Sequence, residues 1–140
     1  MQRRRKGSGR PFSEFDVMIV LDVSGSTENP SGADVDGDGE IGVDPALELL
    51  PPGAFPEGMK STDPDDSILH AEAQAARALV KGLDPRRVRV GLVTFAGEVD
   101  PTTSQRRSLN QQDAWLEVPL TNDVGQVLAD VEGVLARGPH

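Results

Sequence analysis

The sequence predicts an α/β fold with a Rossmann-like doubly wound sheet, and three patterns lead to that prediction. Residues 16–21 form a continuous apolar run, which is typical of a parallel strand buried on both faces. Segments 64–83 and 124–135 place apolar residues at helical spacing. Runs rich in β-branched and apolar residues lie at 88–95 and 115–120. The order strand, helix, strand, strand, helix is that of the opening of a doubly wound sheet.

The first helix has clear start signals and one anomaly. Asp63 is a suitable N-cap, and Pro64 occupies the first helical position. The predicted apolar face consists of Ile68, Leu69, Ala75, Ala76, Leu79, Val80 and Leu83. Glu72 places a charge on that apolar side, and no residue in the sequence is an evident partner for it.

The third strand, Trp115 to Leu120, leads into a second amphipathic helix. Thr121 or Asn122 is the expected N-cap, and Gly138 followed by proline is a stop signal. The apolar stripe of this helix consists of Val124, Val127, Leu128, Val131, Val134 and Leu135.

Composition excludes several classes of function. The chain has 140 residues, no cysteine and a formal net charge of -9, so disulfides and thiolate metal sites are absent. No window approaches the roughly 18 apolar residues that span a bilayer. Residues 1–14 are expected to form a disordered basic tail. Aromatic residues do not alternate with the basic clusters, so nucleic-acid binding is disfavoured.

Asp22, Ser24 and Ser26 follow the first strand directly. In open α/β sheets, ligands bind at the carboxyl ends of the strands. One carboxylate and two hydroxyls can supply part of the oxygen shell that Mg²⁺ or Mn²⁺ prefers, and Gly25 lets the turn bring both hydroxyls inward. Such a shell carries little negative charge. The cation therefore stays electrophilic and can accept a carboxylate from a partner.

The residues around this turn resemble a known family. Segment 17–27, with its Asp-x-Ser-x-Ser pattern, resembles the metal-ion-dependent adhesion site of von Willebrand factor type A domains. The strand 89–95 and the segment 120–123 at the start of the second helix are similar to the corresponding parts of that family. The resemblance covers Phe15 to Gly138, apart from an irregular insertion at 28–62.

The resemblance implies a partial von Willebrand factor type A domain over residues 15–140. It implies a module that binds a protein ligand without catalysis, through Mg²⁺ or Mn²⁺ held by Asp22 (through water), Ser24 and Ser26. The family completes this site with a Thr after the second helix and an Asp at the end of a further strand. The chain stops at His140, where that Thr is expected. We therefore expect a sheet truncated after the third strand, with an open edge and weakened metal affinity.

The insertion contains a second candidate cation site. Asp34, Asp36 and Asp38 occupy positions 1, 3 and 5 of a calcium loop of EF-hand or dockerin type over 34–45. Gly39 stands at position 6, and Glu40 at position 7 would contribute its backbone carbonyl. Position 12, where a bidentate acid is expected, holds Pro45; the nearest acids are Asp44 and Glu48. The alternative is an acidic, flexible loop without an ion.

Two other functions share some of these sequence features. Haloacid-dehalogenase-type phosphotransferases also place an Asp after a buried first strand, but they need a second Asp where this chain has Ser24. A non-binding structural fragment is the other alternative. A calcium loop favours an extracellular or cell-surface location, where calcium is abundant, although the sequence shows no export signal.

Overall fold

The computed structural model describes residues 14–47, 51, 53–98, 100 and 102–140. Nearly all of the predicted basic tail, residues 1–13, lies outside these ranges. The described residues form a mixed α/β structure with a three-stranded sheet and two α-helices, so the α/β prediction is confirmed. Within the described part of 29–62 there are turns, bends and an isolated bridge between Pro30 and Ser67, and no helix or longer strand.

The sheet consists of β1 (Phe15–Asp22), β2 (Val88–Phe95) and β3 (Ala114–Thr121), in that order. β1 and β2 are parallel, and Asp22 pairs with Phe95 at their carboxyl ends. β2 and β3 are antiparallel, with register irregularities near the middle. The parallel pair requires a crossover connection, which the first helix and the insertion supply. All three strands lie within one residue of their predicted bounds, and β1 has one sheet neighbour among the described residues.

Helices α1 (Ile68–Lys81) and α2 (Val124–Arg137) pack against each other and against one face of the sheet. Their buried residues join inward-facing strand residues in one core. The largest wholly buried apolar side chains of this core are Leu92, Val80, Val90, Val118, Val127, Val131 and Val134. The α2 stripe is confirmed, and Gly138 ends the helix with φ 74°.

The prediction that the first strand is buried on both faces is wrong. Ile19 and Leu21 face the core, but Met18 is 42% exposed and Val20 is 55% exposed on the other face. Both helices lie on the Ile19 side, so no described element covers Met18 and Val20. The continuous apolar run therefore contains one face that packs and one that does not. The doubly wound arrangement, which has helices on both faces, stays a prediction.

The start of the first helix differs from the sequence prediction. Asp63 does cap a turn, because its side chain accepts a hydrogen bond from Asp65 N, but that turn is a short 3-10 helix, Pro64–Asp66. Ser67 is then extended (ψ 164°) and caps α1 by accepting from His70 N. This break turns the chain so that Asp66 points inward, instead of facing solvent on the first turn of a longer helix.

The buried stripe of α1 is also rotated from the predicted one. Its buried residues are Leu69, Ala73, Ala76 and Val80. Ile68, Ala75 and Leu79, which were assigned to the apolar face, are exposed. For α2 the N-cap is Asp123 rather than Thr121 or Asn122, because the Asn122 side chain donates instead to the carbonyls of Pro85 and Val88.

A pair of leucine substitutions tests which face of the sheet carries the core. Leu92 is 0% exposed, whereas Leu116 on the neighbouring strand is 60% exposed. Leu92→Ala should lower the free energy of unfolding by about 2–5 kcal/mol, since it removes buried methyl groups and leaves a cavity. Leu116→Ala should change it by less than about 0.5 kcal/mol. Urea unfolding measures both values, and equal losses would contradict the one-sided core.

Candidate metal sites

The Asp22 turn, residues 22–27, follows β1 at the carboxyl end of the sheet. The backbone N–H of Ser24 donates to Oδ1 of Asp22 over 2.8 Å, and the hydroxyl oxygens of Ser24 and Ser26 lie 3.1 Å apart. Thr27 is buried and fastens the turn, because its hydroxyl donates to the Ser24 carbonyl over 2.6 Å. The two hydroxyls are thus neighbours, and the Asp22 carboxylate bonds to the backbone of the same turn. Asp22 and Ser24 are half-buried and Ser26 is exposed, so the turn is open to solvent on one side.

Glu72 approaches this turn from α1. Its Oε1 accepts a hydrogen bond from the backbone N–H of Asp22 over 2.9 Å. Its Oε2 is buried and has no hydrogen-bond partner in the part of the chain that the structure describes. The pKa of Glu72 is raised, mainly because the carboxyl group is partly buried. The hydrogen bond from the Asp22 N–H lowers this pKa, and the negative charge of Asp22 raises it further. The charge on the apolar side of the helix therefore faces the candidate metal site.

The chemistry of this turn fits a hard divalent cation. Carboxylate and hydroxyl oxygens are the ligands that Mg²⁺ and Mn²⁺ prefer, and the solvent-open side leaves room for the waters that Mg²⁺ retains. The orphaned buried oxygen of Glu72 adds negative charge without a compensating partner beside Asp22. Asp22, Ser24 and Ser26 are the residues that could hold the ion.

The acidic loop, residues 34–42, closes on itself through side chain to backbone hydrogen bonds. Asp34 accepts from the N–H of Gly37 over 2.8 Å and from the N–H of Gly39 over 2.9 Å. Asp36 and Asp38 each accept from the N–H two residues later, which for Asp38 is that of Glu40. Gly39, the expected position-6 glycine, has φ 93°, a conformation that other residues rarely adopt. The loop is therefore curled around its own carboxylates.

Asp66 completes this cluster from outside the loop. It is 0% exposed, and its carboxylate accepts from the backbone N–H groups of Val35 (2.6 Å), Asp36 (3.3 Å) and Gly42 (3.2 Å). Carboxylate oxygens of Asp34, Asp36, Asp38 and Asp66 lie within 4.8 Å of one another. Four carboxylates at this separation repel one another unless a cation or protons compensate their charge.

Perturbed pKa values mark the same place. The Asp38 N–H lowers the pKa of Asp36, but desolvation and the charges of Asp38 and Asp66 outweigh it and raise the pKa overall. Partial burial, together with a hydrogen bond to Asp38 and the charges of Asp36 and Asp38, raises the pKa of Asp63 to about 6. Both carboxyl groups therefore bind protons more readily than an isolated aspartate, and a cation would compete with those protons.

The remaining predicted ligands are placed differently. The side chain of Glu40 is outside the group of four, and this residue joins the loop through its N–H on Asp38. Asp44 accepts from Ala46 N at a turn, and Glu48 lies outside the described residues. The missing position-12 acid thus has a substitute in Asp66, 32 residues after Asp34 rather than 11. Spacing within the loop could not reveal it; the run of acids at 63–66 was the available signal.

The two candidate sites share a support. Residues 29–31, which follow the Asp22 turn, pair with residues 66–68: Ser31 N donates to the Asp66 carbonyl and Ile68 N donates to the Asn29 carbonyl, each over 2.9 Å. Asp66 thus binds the acidic loop through its side chain and the segment after the Asp22 turn through its backbone.

Comparisons with known proteins identify no family. No protein-family model matches the chain, and no curated protein matches it. Among solved structures, the chain is similar to an uncharacterized membrane-spanning protein from Vibrio fischeri, with 19% sequence identity and a TM-score of 0.48. The similarity covers 87% of this chain and 39% of that one, so this chain spans less than half of that protein's length. A similarity of this size carries no argument about fold or function.

The expectation that the chain has no transmembrane segment agrees with the helices of the described residues. None of them is both long enough and apolar enough to cross a bilayer.

Substitution of Asp66 tests its hold on the acidic loop. Asp66→Asn replaces one acceptor oxygen with an amide group that faces backbone N–H donors, so the free energy of unfolding should fall by about 1–3 kcal/mol without any metal. Asp65→Asn is the matched control, because it makes the same change at an exposed neighbour outside the group of four carboxylates. The Asp65 carboxylate lies 3.5 Å from His70 Nε2. Urea unfolding in a chelator gives both values. Equal effects of the two variants would contradict the anchoring of the loop by Asp66.

The Asp63 carboxyl predicts a pH-dependent stability of the metal-free protein. Its pKa of about 6 lies above the ordinary value of 3.8, so the folded state binds this proton more tightly than the unfolded chain. The stabilisation that this bound proton gives the folded state is present below pH 4 and is lost as the pH rises towards 6. Urea unfolding of the wild type and of Asp63→Asn, which keeps the cap acceptor, should therefore diverge between pH 4 and 6. Parallel curves would refute the assignment.

Proposed function

We propose that this chain is a metal-dependent binding module whose strands and helices correspond to the N-terminal part of a von Willebrand factor type A domain. On this proposal, the sheet belongs to a Rossmann-like, doubly wound architecture, and residues 15–140 form the domain around the insertion at 28–62. The module binds a protein ligand through a divalent cation and catalyses no reaction. The observation that carries the proposal is the convergence of Asp22, Ser24 and Ser26 at the end of β1.

The arrangement of the Asp22 turn supports a ligand-accepting cation. Ser24 N fixes one oxygen of Asp22, so the carboxylate is oriented before a metal arrives. The neighbouring hydroxyls of Ser24 and Ser26 are neutral ligands, which leaves the charge of Mg²⁺ or Mn²⁺ largely uncompensated. A bound cation supplies Lewis acidity towards a carboxylate, and the exposure of Ser26 gives that carboxylate access. The partner is therefore a protein that presents an acidic side chain, not a nucleic acid or a lipid bilayer.

The acidic loop supports a second, calcium-binding site with a structural purpose. Asp34, Asp36 and Asp38 converge with the buried Asp66. Ca²⁺ accepts six to eight oxygen ligands in flexible geometry, so this set with the carbonyl of Glu40 and waters is suitable. Calcium would neutralise the cluster and stiffen an insertion rich in proline and glycine. A calcium site of this kind favours a location outside the cell.

Calorimetry with two variants tests both sites. Ca²⁺ should bind the metal-free wild type and Ser24→Ala but not Asp36→Ala/Asp38→Ala, because only the last variant lacks loop carboxylates. Mg²⁺ should bind the wild type and the loop variant, and Ser24→Ala should weaken it by about 10-fold or more. Absence of saturable binding of either ion to the wild type would contradict the proposal and leave a structural fragment with an acidic loop.

The ligand part of the proposal has its own readout on the same proteins. Acetate serves as the smallest carboxylate probe, and Mn²⁺ replaces Mg²⁺ because its paramagnetism broadens NMR signals of molecules bound to it. The protein is kept in excess over Mn²⁺. The acetate signals should broaden in the presence of the Asp36→Ala/Asp38→Ala variant, and they should broaden less when Ser24→Ala is added to that variant. Equal broadening with the two proteins would contradict the proposal that the Asp22 turn presents an electrophilic cation.

A further inference from the structure

Glu72 has an environment that its one hydrogen bond does not explain. Its Oε1 accepts from Asp22 N over 2.9 Å, which fixes the end of β1. Its Oε2 is fully buried and receives no hydrogen bond from the described residues. No described Lys, Arg or His forms an ion pair with this carboxylate, and the nearest charge acting on it is the negative charge of Asp22.

A buried carboxylate oxygen without a donor is unfavourable, because it loses hydration and gains nothing in return. The bond to Asp22 N needs a single neutral acceptor oxygen, which a glutamine would supply without a buried charge. A positive charge or a proton donor in the Asp22 turn would give the second oxygen the partner that it lacks.

We propose that Glu72 is a positioning residue of the cation site at Asp22. Its Oε1 holds the backbone of Asp22, and binding of the cation opens the turn enough for Oε2 to accept a hydrogen bond from a metal-bound water. Since Mg²⁺ keeps several waters when it binds proteins, such a water is available. Because Glu72 acts through water, the inner shell gains no further carboxylate, and the cation still accepts an acidic ligand. This inference rests on the proposed cation site at Asp22, Ser24 and Ser26.

Glu72→Gln tests the inference, and it is measured in the Asp36→Ala/Asp38→Ala background so that the acidic loop does not bind the metal. The probe is Mn²⁺, and electron paramagnetic resonance gives the free concentration. Loss of the acceptor should weaken Mn²⁺ affinity by about 10- to 100-fold. The melting temperature of the metal-free protein should stay equal or rise, because the variant keeps an acceptor for Asp22 N and removes an unpartnered buried charge. Far-UV circular dichroism verifies the fold.

Glu132→Gln is the matched control, since it makes the same change on α2, where Glu132 pairs with Arg77 at the surface. It should leave Mn²⁺ affinity unchanged. If Glu72→Gln does not fold, Glu72→Met, an isosteric residue with good helix propensity, replaces it and should show the same loss of affinity.

The outcomes separate the inference from the function on which it rests. If the parent protein binds no Mn²⁺ at the Asp22 turn, the proposed function and this inference both fail. If the parent binds Mn²⁺ and Glu72→Gln binds it equally well, only the inference fails. A variant that loses metal-free stability but keeps its affinity would show that Glu72 merely supports the turn, and this result also overturns the inference.

Discussion

The carboxylate of Asp66 holds the insertion between β1 and α1 in place. It is wholly buried and receives hydrogen bonds from the N–H groups of Val35, Asp36 and Gly42, which lie at both ends of the acidic loop. Backbone N–H groups at those positions have no strand or helix to satisfy them, so the carboxylate replaces regular secondary structure. The Ser67 break before α1 is what turns Asp66 inward. An insertion with few apolar residues is thereby fastened to the folded core.

The same residue connects the two candidate metal sites. The Asp66 carbonyl accepts from Ser31 N, and the adjacent Ile68 N donates to the Asn29 carbonyl. Residues 29–31 leave the Asp22 turn directly, so Asp66 bonds to the exit of that turn as well as to the acidic loop. Asp22 is held from its other side by Glu72 of α1. Hydrogen bonds through Asp66 therefore connect the acidic loop to the segment that follows Asp22, Ser24 and Ser26.

Local patterns predicted the elements and the convergence of Asp34, Asp36 and Asp38, because apolar periodicity and loop spacing are local properties. The three strands and both helices occur near their predicted positions, and Asp34, Asp36 and Asp38 do converge. Long-range properties were missed: the exposed face of β1 depends on which side the helices pack, and Asp66 reaches the loop across about 30 residues. Glu72 was visible in the sequence as a charge without a partner, but only the fold places it against Asp22.

Asp66 and Glu72 represent two ways of burying a carboxylate, and the difference indicates what each one does. Both oxygens of Asp66 accept hydrogen bonds from N–H groups of the chain, which hold the acidic loop to the start of α1. Glu72 is satisfied at Oε1 alone, and Oε2 adds an uncompensated charge to the fold. A fold keeps such a charge at a cost in stability, and the cost is offset when a cation binds beside it. Asp66 therefore holds the acidic loop through bonds to both of its oxygens, whereas Glu72 has one buried oxygen without a donor among the described residues, next to the Asp22 turn.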